Sequence, residues 1–367
     1  MPETSLQGKR RFQQLTDSNL LLLIAVSIFV VLYVFAMFFI GGSFLRWQGF
    51  FNLLNNNAAL LILACALSIV MIGGGIDISV GGVVALVTAA CAVYLDSAAG
   101  GNIFVSVCIA LGIGLTFGVV QGFLVAYMGV QPFIITLAGM FFARGLATVI
   151  TPHSHTVRLE SFIALRNIRV ESYAFGHVAR SGNLIPATID MPVFISLLVV
   201  VLVACALKWS KFGRNLYAVG GNPHSALMLG INVKRTRFYS HVICGLLAGI
   251  SGYLFLLWTG SGFSQHAMIF EMRAIAASII GGTMLTGGVG NIAGSPVGVL
   301  ILMTIEAMVR GSGLTAGGRV WLQDVTTGVM LFLALILQSV ILSRRGRTMN
   351  ILGSFKQLFS GWLNFRR

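Results

Sequence analysis

An acidic residue stands between two long apolar stretches of the chain, in the glycine-rich segment 73–82 (GGGIDISVGG). A carboxyl group placed between apolar spans is costly, so such a residue usually faces a cavity or a partner group. Beside Asp77, Ser79 adds a hydroxyl, and glycines such as Gly81 leave backbone N–H and C=O groups accessible. This mixture suits a neutral, hydroxyl-rich solute. The alternative interpretation is that Asp77 caps a helix end at the inner surface, with Ser79 exposed.

A second polar, glycine-rich interruption follows much later, in segment 281–291 (GGTMLTGGVGN). It can line a pathway or let helices slide during gating. Close helix packing is the alternative, since glycine commonly serves it in membranes, and we favour packing for Gly287 and Gly288. The candidate pathway residues are therefore Asn56, from the polar run 55–57, with Asp77, Ser79, Gly81, Gly282, Thr283 and Asn291.

Three charged residues lie in or beside apolar stretches and are interpreted as structural. Glu306 and Arg310 are four residues apart, so they can pair on one helix face. Arg144 stands toward the outer end of its span and can extend to the interface.

No part of the sequence carries the chemistry of an enzyme. There is no nucleophile–base pair, and the outer histidines have no metal-ligand spacing: His153, His155 and His177. The phosphate-binding pattern Gly-x-x-x-x-Gly-Lys-Ser/Thr is also absent. We expect no catalytic residue, metal or cofactor in this chain. If ATP drives the protein, ATP and Mg²⁺ are bound by another polypeptide.

The connection Lys208–Arg237 is strongly basic and contains no acidic residue. It predicts a short helix over 223–229, with Asn222 as N-cap, Pro223 at the first position and Gly230 just past the end. So short a helix is unstable alone, and its apolar side chains indicate a groove on a partner. Folding against the chain's own membrane domain is the alternative. The candidate coupling residues are Gly220, Gly221, Asn222, Ser225, Ala226, Leu229 and Gly230.

Composition places the protein in a membrane. Hydrophobic residues make up 57% of the 367 positions and charged residues 9%, which no soluble domain of this size shows. The net charge of +14 does not indicate nucleic acid, because the basic residues are split among loops at span ends. The five cysteines lie inside apolar segments and suit small buried positions.

The apolar runs predict an all-α polytopic fold with about ten transmembrane helices and both termini in the cytoplasm. Residues 1–19 form a cytoplasmic tail, 20–343 the transmembrane domain and 344–367 a second cytoplasmic tail. Segment 208–237 is assigned inside and 151–190 outside. Ten spans can form two halves of five helices each, as in an inverted repeat, although the basic loop follows the sixth predicted span. The predicted spans are 20–40, 52–72, 83–95, 103–128, 132–150, 191–207, 238–258, 274–290, 292–309 and 321–342, with the glycine-rich segment 73–82 between the second and the third.

Taken together, these motifs resemble the permease subunits of bacterial ATP-binding cassette (ABC) sugar importers of the ribose/xylose/arabinose/galactofuranose class. The resemblance is carried by segment 75–81 (GIDISVG), by 212–222 with Gly230-Ile231, and by 281–290. Within the class, segment 132–145 (PFIITLAGMFFARG) is similar to a permease of the galactofuranose-type importer. Members of this family often have Ala-Ala-Arg in the short helix of the basic connection, where this chain has SALM at 225–228. The difference makes the surface of that helix more apolar.

The resemblance implies a set of partners in the inner membrane of a bacterium. These are a second permease subunit, cytosolic ATPase subunits, a periplasmic sugar-binding protein and the surrounding lipid. It also implies that the 223–229 helix is the coupling helix that docks on the ATPase. The alternative is a proton-coupled secondary sugar carrier with Asp77 or Glu306 as the proton relay.

Overall fold

The computed structural model describes residues 22–97, 100–178, 184–311 and 321–344. The two cytoplasmic tails predicted for 1–19 and 344–367 lie outside these ranges, apart from Arg344. The helices are α1 Leu22–Phe39, α2 Trp47–Asn55, α3 Ala58–Ile72, α4 Val80–Leu95, α5 Ile103–Ala126, α6 Pro132–Ile150, α7 Glu160–Arg166, α8 Met191–Trp209, α9 Lys211–Gly221, α10 Pro223–Met228, α11 Val233–Thr259, α12 Phe270–Ile280, α13 Gly294–Gly311 and α14 Trp321–Arg344. The strands are β1 His155–Thr156, β2 Arg169–Val178, β3 Leu184–Asp190 and β4 Ser261–Gly262, and a 3-10 helix covers Gly42–Leu45.

Helix α3 forms the centre of the molecule. All 15 of its residues are buried, and it packs against α8, α11, α12 and α13. A helix that is apolar on every side belongs in such a core, because it has no polar face to present to water. By contrast, α1 and α6 leave large apolar side chains such as Phe38 and Phe141 exposed, as expected for surfaces that face lipid.

Six of the described helices are long and apolar enough to cross a membrane, or seven if α2 and α3, bent by 56°, count as one span. The molecule is therefore a helical, polytopic membrane protein. The predicted span 52–72 is a broken pair whose first part begins at Trp47. The predicted span 274–290 is shorter in the structure, because α12 ends at Ile280 and the glycine-rich segment after it leaves the helix.

Helices α5 and α11 pack through glycines spaced four apart. A Cβ added at Gly114 would lie 2.2 Å from the Gly245 carbonyl oxygen, and one at Gly245 would lie 2.3 Å from the Gly114 oxygen. A Cβ added at Gly249 would likewise lie 2.4 Å from the Ala110 carbonyl oxygen. Such small residues allow close backbone approach, which stabilises helix pairs where the hydrophobic effect is weak.

The connection 151–190 contains β structure that the all-α expectation missed. Strands β2 and β3 pair as an antiparallel hairpin with Arg169 opposite Asp190. The hairpin is fixed to α2, since Gln48 Oε1 accepts the Thr188 N–H at 2.7 Å and Asn55 Oδ1 accepts the Asp190 N–H at 3.0 Å. Two of the polar residues near the start of the second predicted span thus anchor the hairpin.

Candidate functional site

The chain leaves the helical conformation over residues 73–79, between α3 and α4, which we call the first break. Gly74 takes a φ of +81°, a left-handed conformation that favours glycine. Asp77 is only 2% exposed. Its Oδ1 accepts the Ser79 N–H at 2.9 Å and lies 2.6 Å from Ser79 Oγ, so the aspartate closes a tight turn just before α4.

Two polar residues that the sequence analysis missed complete this site. Gln121 of α5 places Oε1 3.0 Å from Ser79 Oγ. His241 of α11 lies within electrostatic range of Asp77. Among the described residues, Gln121 Nε2 and His241 Nε2 are buried and have no hydrogen-bond partner. The signal that would have found both residues is a lone polar side chain inside an otherwise apolar span.

The surroundings of Asp77 separate the two interpretations given above. Asp77 does bond the backbone next to a helix start, as a capping residue would. However, Ser79 is also only 2% exposed, so the part of that alternative which leaves Ser79 exposed is wrong. The site is a buried polar cluster of Asp77, Ser79, Gln121 and His241 that joins the first break to α5 and α11.

Gly81 is the second residue of α4 and faces a second charged group. A Cβ at Gly81 would lie 1.8 Å from Glu271 Oε2, so a larger residue there would require the Glu271 carboxyl group to move. Glu271 Oε2 is 3.7 Å from Arg144 Nη2, and that same nitrogen donates to the Ala267 carbonyl at 2.9 Å. Arg144 thus holds the connection before α12 in place, in keeping with a structural role.

The second break, residues 281–293, lies between α12 and α13. Gly282, Gly287 and Gly288 take φ values of +95°, +80° and +72°. Thr283 is fully buried, and its hydroxyl donates to Ser68 Oγ of α3 at 3.2 Å. Ser68 Oγ is also 2.6 Å from Ser295 Oγ of α13. These three hydroxyls join the second break to the core.

The remaining candidate pathway residues do not all lie together. Asn291 accepts the Ala293 N–H at 3.0 Å and shapes the turn before α13. Asn56 stands beyond the opposite end of α3, where its Oδ1 accepts from Trp258 Nε1 at 3.3 Å. The 15 residues of α3 rise about 22 Å, so Asn56 is far from the cluster around Asp77. The two breaks do meet, because Gly288 N–H donates to the Ile72 carbonyl at 2.8 Å.

The predicted pair of Glu306 and Arg310 is confirmed, with Oε2 and Nη1 3.7 Å apart. Glu306 is 1% exposed, and its partners among the described residues include Arg273 and Thr327, which the sequence did not indicate. Arg273 Nε of α12 lies 3.4 Å from Glu306 Oε1, and the Thr327 hydroxyl of α14 donates to the same oxygen at 3.1 Å. This cluster ties α12, α13 and α14 together.

The basic connection holds two helices rather than one. Helix α9 covers Lys211–Gly221, and α10 covers Pro223–Met228, ending one residue before the prediction. The predicted caps are confirmed: Asn222 Oδ1 accepts the Ser225 N–H at 3.0 Å, and Gly230 takes a φ of +77°. Ala226 is buried against the chain itself. The exposed apolar face consists of Leu227, Met228 and Leu229, which are 58%, 86% and 78% exposed.

Comparison with known proteins identifies the family. Residues 49–335 match the family described as branched-chain amino acid transport system / permease component. The chain belongs to this family.

Three known permeases are similar to this chain over most of their length. The inner membrane ABC transporter permease protein YjfF of Escherichia coli (strain K12) is 30% identical over 87% of this chain and 92% of the relative. The fructose import permease protein FruG of Bifidobacterium longum (strain NCC 2705) is 32% identical over 88% and 92%. The ribose import permease protein RbsC of E. coli (strain K12) is 30% identical over 81% and 87%.

Membership makes this chain the membrane permease component of an ABC importer, a multi-pass inner-membrane protein and not an enzyme. The resemblance to sugar-importer permeases is confirmed at this level. The proton-coupled carrier is not favoured, because the matching family is described as a permease component of a transport system and the relatives include an ABC transporter permease. The similarity to a galactofuranose-type permease stays a prediction.

Proposed function

We propose that this permease translocates a monosaccharide, a pentose or a hexose, furanose forms included, driven by ATP hydrolysis on a separate subunit. The observation that carries the proposal is α10, a capped helix of 6 residues that exposes an apolar face. A helix this short is not stable by itself, so a partner surface that receives it gives the exposed side chains a role. The sugar specificity is supported by the fructose and ribose permeases among the relatives.

The proposed assembly is supported by membership of the permease family. The chain pairs with a second permease subunit, which can be identical or different, in contact with membrane lipid. A cytosolic ATPase binds ATP and Mg²⁺, and a periplasmic protein delivers the sugar. The permease itself needs no cofactor and binds no nucleic acid.

The proposed topology has about ten spans with both termini in the cytoplasm. It is supported by the excess of Lys and Arg in 208–237 and by the basic residues near both ends of the chain. Counting α4 and α12 as spans is reasonable in this setting, because helices interrupted at membrane depth are tolerated where protein surrounds the break. Both helices are largely buried within the molecule.

The proposed pathway uses the two breaks. Asp77, Ser79 and Gly81 belong to the first break and the start of α4, and Gly282, Thr283 and Asn291 to the second, with Asn56 at the opposite end of α3. Support comes from the burial of Asp77 and Thr283 in polar clusters at helix interruptions, where irregular backbone can change conformation. Movement of α10 after ATP binding would then change the conformation of these breaks.

The docking role of α10 is tested by replacing Met228 and Leu229 with Asp in the full transporter. We expect the ATPase to be lost on purification and sugar-stimulated ATP hydrolysis to fall, because two charges replace the exposed apolar face. Tyr173→Asp is the control, since Tyr173 is also exposed but lies on the β2 strand of the hairpin. Undisturbed co-purification and hydrolysis in the double variant would contradict the proposal.

A further inference from the structure

Three stretches of backbone meet next to α10 without side chains between them. They are the end of α3 with Gly74, the end of α9 at Gly220, and Gly287-Gly288 of the second break. A Cβ at Gly220 would lie 1.8 Å from the Ile72 carbonyl oxygen and 2.6 Å from the Gly288 nitrogen. A Cβ at Gly287 would lie 2.8 Å from the Gly220 oxygen and 2.9 Å from Gly74 Cα. We call this contact the glycine joint.

Two hydrogen bonds cross the glycine joint. Gly288 N–H donates to the carbonyl of Ile72 at 2.8 Å, which satisfies one of the unpaired acceptors at the end of α3. The Tyr217 hydroxyl of α9 donates to the Gly290 carbonyl at 2.9 Å. Burial raises the pKa of the Tyr217 phenol to about 12, so the group remains a neutral donor at physiological pH.

Helix α9, which contributes Gly220 to the glycine joint, is connected to α10 by a single residue. Helix α9 ends at Gly221 and α10 begins at Pro223, so Asn222 alone separates them. Asn222 N–H bonds the Ala218 carbonyl of α9 at 3.1 Å, while its side chain caps α10. A displacement of α10 is therefore passed to α9 instead of being absorbed by a flexible loop.

We propose that Tyr217 and Gly220 are positioning residues that transmit the movement of α10 to both breaks at once. The inference rests on the proposed docking of α10 on the ATPase and assigns the next step within the permease. Backbone atoms in direct contact have no rotamers with which to yield, so the second break must follow α9. The Gly288–Ile72 bond carries the same displacement to the end of α3, where the first break starts.

The first test is Tyr217→Phe in the complete transporter, which removes one oxygen and keeps the ring. We expect sugar transported per ATP hydrolysed to fall about fivefold, equivalent to roughly 1 kcal/mol and thus to one hydrogen bond. Tyr253→Phe is the matched control, because its hydroxyl bonds Ser106 Oγ at 3.1 Å within the core, away from the joint. An unchanged ratio in Tyr217→Phe, or an equal fall in Tyr253→Phe, would overturn the proposal.

A second pair of variants tests the backbone contact. Gly220→Ala adds a Cβ where the Ile72 oxygen stands, whereas Gly112→Ala in α5 adds one that meets nothing within 4 Å. We expect only Gly220→Ala to separate ATP hydrolysis from transport, with the ATPase still bound. If a folded Gly220→Ala transporter still coupled ATP hydrolysis to sugar transport, the proposed role of the glycine joint would be wrong.

The experiments distinguish the proposed role of the glycine joint from the proposed docking of α10. Loss of the glycine joint leaves the ATPase attached and hydrolysing while transport drops. If instead the Met228 and Leu229 variants keep normal coupling, the docking of α10 itself is excluded, whatever the Tyr217 variant shows.

Discussion

The two breaks interrupt helices in similar ways but are held by different chemistry. In the first break, a buried carboxyl group organises the turn: Asp77 accepts from Ser79 and lies near His241. In the second break, neutral hydroxyls and backbone groups form the contacts: Thr283 bonds Ser68, and Gly288 N–H bonds Ile72. Both breaks rely on glycine with positive φ, at Gly74 and at Gly288.

This difference suggests different mechanical roles. A buried carboxyl group that loses its partners is expensive, so the Asp77 cluster favours a single conformation. Neutral hydroxyls cost less to rearrange, and the backbone contacts of Gly288 connect directly to α9. The second break is thus better suited to move with α10, and the first to hold its geometry until the end of α3 shifts.

The largest expected effect comes from Asp77→Ala. This change leaves the Ser79 N–H without its acceptor and removes the neighbour of Ser79 Oγ. Each buried polar group left unsatisfied costs about 1–3 kcal/mol, so we expect uptake of labelled sugar to fall more than about tenfold. The measurement is ATP-driven uptake into vesicles that contain the complete transporter.

Asp77→Asn is the matched variant for this prediction. It keeps the size of the side chain and one oxygen acceptor for the Ser79 N–H, so we expect a clearly smaller loss. If Asp77→Ala kept the wild-type uptake rate and sugar affinity, Asp77 would be excluded from the proposed pathway. The proposed difference between the two breaks would then also be wrong.

An intermediate effect is expected for Gly288→Ala. Its φ of +72° makes any L-residue strained by about 1–2 kcal/mol, and the added Cβ would lie 2.5 Å from Gly221 Cα. Gly129→Ala is the control, because Gly129 has a φ of +74° but nothing within 4 Å of its Cβ position. We expect both variants to melt at a lower temperature but only Gly288→Ala to lose uptake. Equal losses of uptake would mean that strain alone accounts for the effect.

Local signals in the sequence predicted a large part of the site. The two ends of α10 were predicted from nearby residues: Asn222 and Pro223 at its start and Gly230 after its end. Asp77 was recognised because it is an acidic residue in an apolar region. Apolar runs alone were enough to identify a helical membrane protein.

Partners from distant parts of the chain could not be predicted. Gln121 is 42 positions from Ser79, and nothing near Gln121 in the sequence indicates that contact. The Gly288–Ile72 bond likewise depends on how α3, α9 and the second break pack. The interruption at Gly281–Thr283 was predicted, but span 274–290 was predicted to run through it, whereas α12 ends at Ile280 and the backbone turns at Gly282 with a φ of +95°. Amino-acid composition predicts which segments are buried. The backbone conformation of a glycine depends instead on the residues that pack around it in the folded protein.

The smallest effect is expected for Thr283→Val, which keeps the shape of the side chain. Ser68 Oγ retains Ser295 Oγ at 2.6 Å after the change, so no hydroxyl of α3 is left unpaired. Loss of the hydrogen bond to Ser68 should cost about 1 kcal/mol, seen as a small drop in melting temperature with the KM for sugar unchanged. Thr88→Val is the control, since Thr88 is buried and bonds the Ala85 carbonyl within its own helix. A large rise in KM for Thr283→Val alone would show instead that Thr283 contacts the sugar, and the second break would then be a binding element as well as a moving one.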